Sequence, residues 1–286
     1  MSANLQPLTP ILVKDWLLQA TKKLHDQSID SARLDAELIL ASTLKKDRVF
    51  LHSHPEFQLE SNITNKANAQ LRQRLKHVPI AYIHHKKEFY GREFIVSDAT
   101  LIPRPESEEI INSLKHLSSS NDLNLSKSLH LLDVGTGSGI LGITAKLEFP
   151  ALQVTLTDIN EPALQVARQN SKRFNIDVQI KQGDLLENYT GKPDIIIANL
   201  PYVDPAWERS IETNYEPPLA LFADNNGQSM IEKLLAQTSN KLNAHGIIII
   251  EADPRQHKSL IKFAHKLQLE KIYQVAYIIT FRKLIN

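Results

Sequence analysis

The stretch Asp133-Val134-Gly135-Thr136-Gly137-Ser138-Gly139 follows the apolar run 129–134 and opens a segment of helical spacing at 139–149. Strand, glycine-rich turn and helix in that order bring a backbone against a ligand where any Cβ would collide. Gly137, Gly139 and Gly142 also satisfy the G-x-G-x-x-G spacing of a dinucleotide site, which alone is a weak signal. A glycine-rich turn with no ligand is the bland alternative. The register separates the two ligands. Asp133 at the strand end would repel a diphosphate and better suits a ligand carrying a positive α-amino group.

Outward from this turn, short apolar runs at 129–134, 153–158, 177–181, 194–198 and 246–251 alternate with helical patterns at 139–149, 161–174, 228–243 and 255–267. Such alternation predicts a parallel sheet with helices on both faces and a ligand at the carboxyl ends of the strands. Residues 272–282 can add one or two strands. Upstream the chain reads helical. Thr9 and Pro10 can start a helix carrying Ile11, Leu12, Trp16, Leu17 and Ala20. Asp30 or Ser31 can cap a second, with Leu34, Leu38 and Ala41 on one face, and a polar third helix fits 62–77. Phe89-Tyr90-Gly91-Arg92-Glu93-Phe94 reads as a hairpin, and the Ser- and Asn-rich stretch 118–128 as a linker or loop. The expected domains are a helical recognition domain at 1–78, a hairpin and connecting helix at 79–117, and a ligand-binding domain at 118–286.

Composition narrows the function. Lys and Arg number 33 against 32 Asp and Glu, a net charge of +1, which argues against stable binding of nucleic acid through bulk charge. A local basic patch around Arg72, Arg74, Lys76, Lys86, Lys87 and Arg92 reads as a solvated face. Cysteine is absent, which excludes disulfides and thiolate chemistry. Residues 1–10 lack a basic start before an apolar run, and no stretch approaches the roughly 18 apolar residues of a span. The expectation is a cytoplasmic monomer. His52, His54, His84 and His85 lack the carboxylate pattern of a metal site.

Three further strand ends carry polar residues. Asp158 can accept both ribose hydroxyls of a nucleoside, or organise the helix that begins at Glu161. Asp184 is placed for an adenine amino group, with Leu185 packing on the ring; an ordinary turn aspartate looks the same. Asn199-Leu200-Pro201-Tyr202 follows the buried run 195–198. Amide nitrogens are poor nucleophiles, because the lone pair is delocalised into the carbonyl. A site for them needs acceptors for the N–H groups, and the Asn199 oxygen and the carbonyl beside Pro201 supply these, with Tyr202 stacking on the substrate plane. Positioning of this kind contributes several kcal/mol, with about 7–11 as its ceiling.

Together these residues resemble the HemK/PrmC family of protein-(glutamine-N5) methyltransferases. Asp35-Ala36-Glu37-Leu38-Ile39-Leu40, Pro79-Ile80-Ala81-Tyr82-Ile83, Glu88-Phe89-Tyr90-Gly91, Leu101-Ile102-Pro103-Arg104-Pro105-Glu106 and Glu216-Pro217-Pro218-Leu219-Ala220-Leu221 are similar to family strings, as are Asp224 and Gly227. The resemblance implies a class I, seven-stranded, Rossmann-like α/β methyltransferase domain behind a small helical domain and a β-hairpin. It implies S-adenosylmethionine as cofactor, held by Gly135, Thr136, Gly137, Ser138, Gly139, Asp158, Asn199 and, by position, Leu185, to which the strand-end reading adds Asp184. It implies as substrate the glutamine of the Gly-Gly-Gln motif of peptide-chain release factors, held by Asn199, Leu200, Pro201 and Tyr202, of which Asn199, Pro201 and Tyr202 are catalytic. The chain departs from the family at Leu200, where proline is usual, at Asp253, where glycine is expected, and in the apolar 272–280. Other readings are a ribosomal-protein glutamine methyltransferase, an adenine or cytosine amino-methyltransferase, and a binding module without turnover. Trp16 and Trp207 read as packing residues, and Arg104 as an ion-pair partner.

Overall fold

The computed structural model describes residues 11–284, so the expected start at Thr9 and Pro10 lies outside the described residues. The chain divides into two compact units, one up to residue 85 and one from residue 86. Residues 86–117, the hairpin and helix, thus belong with the second unit. No helix among the described residues is long and apolar enough to cross a membrane.

In the first unit, β1 (Ile11–Leu12) pairs antiparallel with β2 (Gln58–Leu59), and α1 (Val13–His25) follows. Ile11 and Leu12 were expected inside the helix. They are extended instead, because strand pairing and the bond from Val13 N–H to the Phe57 carbonyl satisfy their backbone. Val13, Trp16, Leu17, Ala20 and Leu24 form the buried stripe of α1 at helical spacing. The helices α2 (Ala32–Leu44), α3 (Arg48–Ser53), α4 (Ser61–Arg74) and α5 (Ile80–His84) complete the unit.

The buried face of α2 is only partly the expected one, with Ala41 buried and Leu38 half-buried. Leu34 is 41% exposed, while Asp35, Ala36, Glu37, Ile39 and Leu40 are buried. Two carboxylates occupy this face because each has cationic partners. Asp35 accepts from Arg74 Nε at 2.6 Å, and Glu37 accepts from Arg33 and Arg48 at 2.5 and 2.7 Å. Removing one partner from a pair buried on both sides, as Asp35 and Arg74 are, costs roughly 3–5 kcal/mol. Arg74 is therefore a core residue, 2% exposed, and no part of a solvated basic patch. His54 stacks on the Phe50 ring, and His52 lies 3.5 Å from Glu37.

The second unit opens with the hairpin β3 (Lys86–Phe89) and β4 (Arg92–Ile95), turning through Tyr90 and Gly91, both at positive φ. Lys86 pairs with Glu93 and Arg92 with Glu148. A 3-10 turn at Pro105–Ser107 leads into α6 (Glu108–Ser119), and the Ser- and Asn-rich stretch closes α6 and turns toward the sheet. The sheet follows as β5 (His130–Val134), β6 (Gln153–Asp158), β7 (Gln179–Gln182), β8 (Ile195–Ala198), β9 (Ile247–Glu251), β10 (Leu269–Val275) and β11 (Ile278–Lys283). Between them run α7 (Ile140–Glu148), α8 (Glu161–Arg173), the short turns α9 (Pro218–Leu221) and α10 (Asp224–Gly227), α11 (Ser229–Lys241) and α12 (His257–Lys266).

These seven strands take the order β10-β11-β9-β8-β5-β6-β7. Six run in one direction; β11 runs antiparallel to both β9 and β10. The parallel sheet that the alternation predicts is present in β5 to β9, and the further strands expected from 272–282 join it through the antiparallel β11, since only two residues, 276 and 277, separate β10 from β11 and so short a link cannot make a crossover. Burial on both faces explains the unbroken apolar runs of β8 and β9. Leu131, Ile195, Ile197 and Ile249 pack on one face with α6 and the hairpin, and Leu132, Ile196, Ile248 and Ile250 on the other with α11 and α12. Strand order reverses at β5, which places a crevice beyond the carboxyl ends of β5, β6 and β8.

Candidate functional site

A cleft of about 960 Å³, its open mouth included, lies at that reversal. Gly135 and Gly137 after β5, Asp158 to Asn160 after β6, Gly183 to Leu185 after β7 and Asn199 to Pro201 after β8 line it. Thus eight residues singled out from sequence converge: Gly135, Gly137, Asp158, Asp184, Leu185, Asn199, Leu200 and Pro201. Thr136, Ser138, Gly139 and Tyr202 are not on its surface. Thr136 and Ser138 are buried, and Gly139 packs on Ile143 and Ala167. Its apolar walls, Leu101, Ile159, Ala163 and Leu185, suit a nucleoside ligand.

Asp158 holds the glycine turn. Its Oδ2 accepts from Gly137 N–H and its Oδ1 from Asn160 N–H, both at 2.8 Å. Burial pushes this carboxyl above the usual range against the pull of those backbone bonds. Asp184 pairs with Lys233 Nζ at 2.8 Å, a cleft residue the sequence did not reveal. Leu185 takes a φ of 48°, a left-handed conformation that costs a branched residue roughly 1–3 kcal/mol and points to a local demand on its placement.

Asp133 departs from the expectation that it faces a positive group. It is fully buried and absent from the cleft surface. Its Oδ2 accepts from Thr136 Oγ1 at 2.5 Å and Gly142 N–H at 2.8 Å. Asp133 thus braces the turn from beneath, and the choice of ligand rests on the rest of the site. Burial raises its carboxyl from 3.8 to about 7. Between those values the folded chain holds a proton that the unfolded chain has released. Stability should therefore fall as pH rises through that window and level off above it, by at most about 4 kcal/mol at 1.36 kcal/mol per pH unit. Asp133→Asn keeps an acceptor for both donors, and unfolding midpoints from pH 4 to 8 should show a flatter slope for it. Parallel curves for the two proteins would remove this account.

The corner of the cleft at the end of β8 is built around Asn199. Its Nδ2 donates to Ser107 Oγ at 2.9 Å and to Glu251 Oε2 at 3.0 Å, leaving Oδ1 as the group that can accept. Tyr202 donates its hydroxyl to Glu251 Oε1 at 2.9 Å. Burial raises the Tyr202 phenol well above its ordinary value, so it remains a donor. Burial also raises Glu251, which Ser107, Tyr202 and Asn199 pull back by hydrogen bonds.

Two walls come from distant stretches. Glu216, 4% exposed, accepts from Ile102 N–H at 2.9 Å and pairs with Arg104. It ties the segment of Ala99 to Leu101 to the segment of Pro217 to Ala220, and both line the cleft. Arg104 is thereby an ion-pair partner within the second unit. Gln256 donates to the carbonyls of Tyr202 and Asn226, and a Cβ on Gly227 would lie 2.0 Å from the Tyr202 oxygen, so only glycine fits there. Trp207 carries the Arg255 guanidinium 3.6 Å above its ring.

Two family models match this chain, the PrmC N-terminal domain over residues 15–84 and the methyltransferase small domain over 114–276. A release factor glutamine methyltransferase of Koribacter versatilis is 35% identical over 82% of this chain and 86% of that protein. The chain belongs to the HemK/PrmC family of glutamine methyltransferases. It is an S-adenosylmethionine-dependent methyltransferase. A bifunctional methyltransferase of Rickettsia bellii is 34% identical over 92% of this chain, which spans only about half, 52%, of that longer relative. Among solved structures, a methyltransferase from Pyrococcus furiosus shares the fold, with a TM-score of 0.52 and 20% identity over 76% of this chain and 98% of that one.

Against the HemK/PrmC pattern, Leu200 stands where proline is usual. Its side chain is 4% exposed and lies over the glycine turn; a Cβ on Gly135 would come 2.7 Å from Leu200 Cδ2. Gly135 also has a φ of 68°, so turn and substitution fit each other. At Asp253, where the family has glycine, the carboxylate caps the turn Pro254–Gln256 and chelates Arg255. The apolar 272–280 completes β10 and β11, with Ile278 to Phe281 buried.

Proposed function

We propose that this methyltransferase modifies the side-chain nitrogen of the glutamine in the Gly-Gly-Gln motif of a peptide-chain release factor. The observation that carries the reading is the Asn199 carboxamide, whose donor side is fully engaged and whose oxygen is left to accept at the edge of the cleft. S-adenosylmethionine, when bound, supplies a methyl group on a positively charged sulfur. Asn199 Oδ1 and the Leu200 carbonyl take the two N–H bonds of the glutamine amide, and Tyr202 and Pro201 shape the slot for its plane. No strong base is required, since the proton can leave once the nitrogen is alkylated. Gly135, Gly137, Asp158, Asp184 and Leu185 hold the cofactor, with Thr136, Ser138 and Gly139 shaping the turn behind them. The first unit presents the release factor to the site. Names of relatives such as the Koribacter versatilis enzyme support this substrate.

Mass spectrometry of a release factor incubated with the protein and S-adenosylmethionine should find one added methyl group, on the Gly-Gly-Gln peptide. An unmodified factor, or a methyl group elsewhere, would defeat the reading. S-adenosylhomocysteine should bind and NAD should not. Asp158→Ala should weaken the former by about 1–3 kcal/mol, the range for bonds to a charged acceptor. Calorimetry that finds tight NAD binding, or no loss in Asp158→Ala, would contradict these assignments.

A further inference from the structure

Asn199 poses a problem of symmetry. A carboxamide has a donor end and an acceptor end of nearly one shape, and either can face a ligand. Only the acceptor end suits an amide N–H. The donor end would instead welcome a carboxylate or a carbonyl.

Glu251 breaks this symmetry. It ends β9, on the strand next to β8, and is 1% exposed. Three donors converge on its carboxylate, Asn199 Nδ2 and the hydroxyls of Tyr202 and Ser107. A carboxylate offers only lone pairs, so the Asn199 end that meets it is Nδ2. Ser107 adds a second restraint, since its oxygen accepts from the same Nδ2. Turning Asn199 over would set Oδ1 against the Glu251 oxygen, lone pair to lone pair inside the protein, where an unpaired polar group costs most. Glu251 itself does not line the cleft.

We infer that Glu251 is a positioning residue that fixes the Asn199 carboxamide with its oxygen toward the substrate, and so selects an amide over a carboxylate. The inference rests on the proposed function. It makes two demands that a merely structural glutamate does not. Glu251 must act through Asn199, and its loss must be felt in turnover and in the choice between glutamine and glutamate, not in cofactor affinity.

The test is a double-variant cycle with the full-length protein, using single-turnover methylation of a release factor and calorimetry with S-adenosylhomocysteine. Glu251→Ala should slow turnover by about 10²-fold, the scale of a small misplacement of a reacting group, with cofactor affinity retained. Asn199→Ala/Glu251→Ala should be no slower than Asn199→Ala alone. Glu251→Gln should recover to within about tenfold of wild type, because its amide oxygen can still meet Nδ2 while its NH2 turns to the Tyr202 oxygen. A release factor with glutamate in place of the target glutamine should inhibit Glu251→Ala more strongly than wild type. Multiplicative losses in the double variant, near wild-type turnover in Glu251→Ala, or loss of cofactor binding in Glu251→Gln would each overturn the inference. If Glu251→Ala does not fold, the cycle of Glu251→Gln with Asn199→Ala decides by the same criterion. A wild-type protein that leaves the release factor unmethylated would instead defeat the proposed function, and this inference with it.

Discussion

Asn199→Ala is expected to slow single-turnover methyl transfer to a Gly-Gly-Gln-containing release factor by roughly 10²–10³, the scale for removing one preorganised catalytic group. The substitution takes away the acceptor while the cleft walls proposed to hold the cofactor, Asp158, Leu185 and Gly135, stay in place, so S-adenosylhomocysteine should bind nearly as before. The fold should survive too, although Glu251 and Ser107 each lose a donor. Asn199→Asp should also be impaired, since it sets a carboxylate against Glu251 with no donor between them. Leu200→Pro should change turnover by less than about tenfold, because it keeps the carbonyl and the Asn199 side chain. Near wild-type rates for Asn199→Ala would sink the mechanism even if fold and cofactor stand.

A chain cut at Ser126 is expected not to fold, whereas one beginning at residue 86 should fold and bind S-adenosylhomocysteine. Composition makes 118–128 a linker and so makes Ser126 a plausible point of division. Yet Phe89, Phe94, Ile110, Ile111, Leu114 and Leu117 lie at or below 2% exposure in the core that also holds Leu131, Ile197 and Ile249. At about 1.5–3 kcal/mol per buried apolar side chain, losing six removes on the order of 10 kcal/mol, comparable with the roughly 5–15 kcal/mol that stabilises a whole domain. The chain from residue 86 should also lose most activity on an intact release factor, because the unit proposed to present that factor is gone. Circular dichroism, calorimetry and the methylation assay decide these points. A folded 126–286 fragment, or full activity from 86–286, would refute the respective halves.

What was legible in the sequence follows physical range. The run 194–198 reads directly as β8 because a strand buried on both faces is apolar along its length. β7, partly exposed and polar, slid from 177–181 to Gln179–Gln182. Hydrophobic periodicity misassigned α2 because it treats every charge as outward-facing, and Asp35 and Glu37 are inward by virtue of arginines from elsewhere in the unit. At the site, Gly135, Asp158 and Asn199 declare themselves, each beside the strand that positions it. Glu251, Ser107, Glu216 and Lys233 do not, since their partners are 49 to 114 residues away. A single aligned signal was available for Glu216 and Arg104: each sits in a string with strong family character.

The distance between Asn199 and its partners also has a meaning in time. Ser107 precedes Asn199 by 92 residues, and Glu251 follows it by 52. On a ribosome making about 5–20 residues per second, the chain reaches Glu251 roughly 3–10 s after Asn199. During that interval the glycine turn, Asp158 and Asn199 all exist, and the carboxylate that orients Asn199 does not. The oriented acceptor therefore forms only after residues 107, 199 and 251 have all been made, later than the glycine turn and Asp158 that precede Asn199.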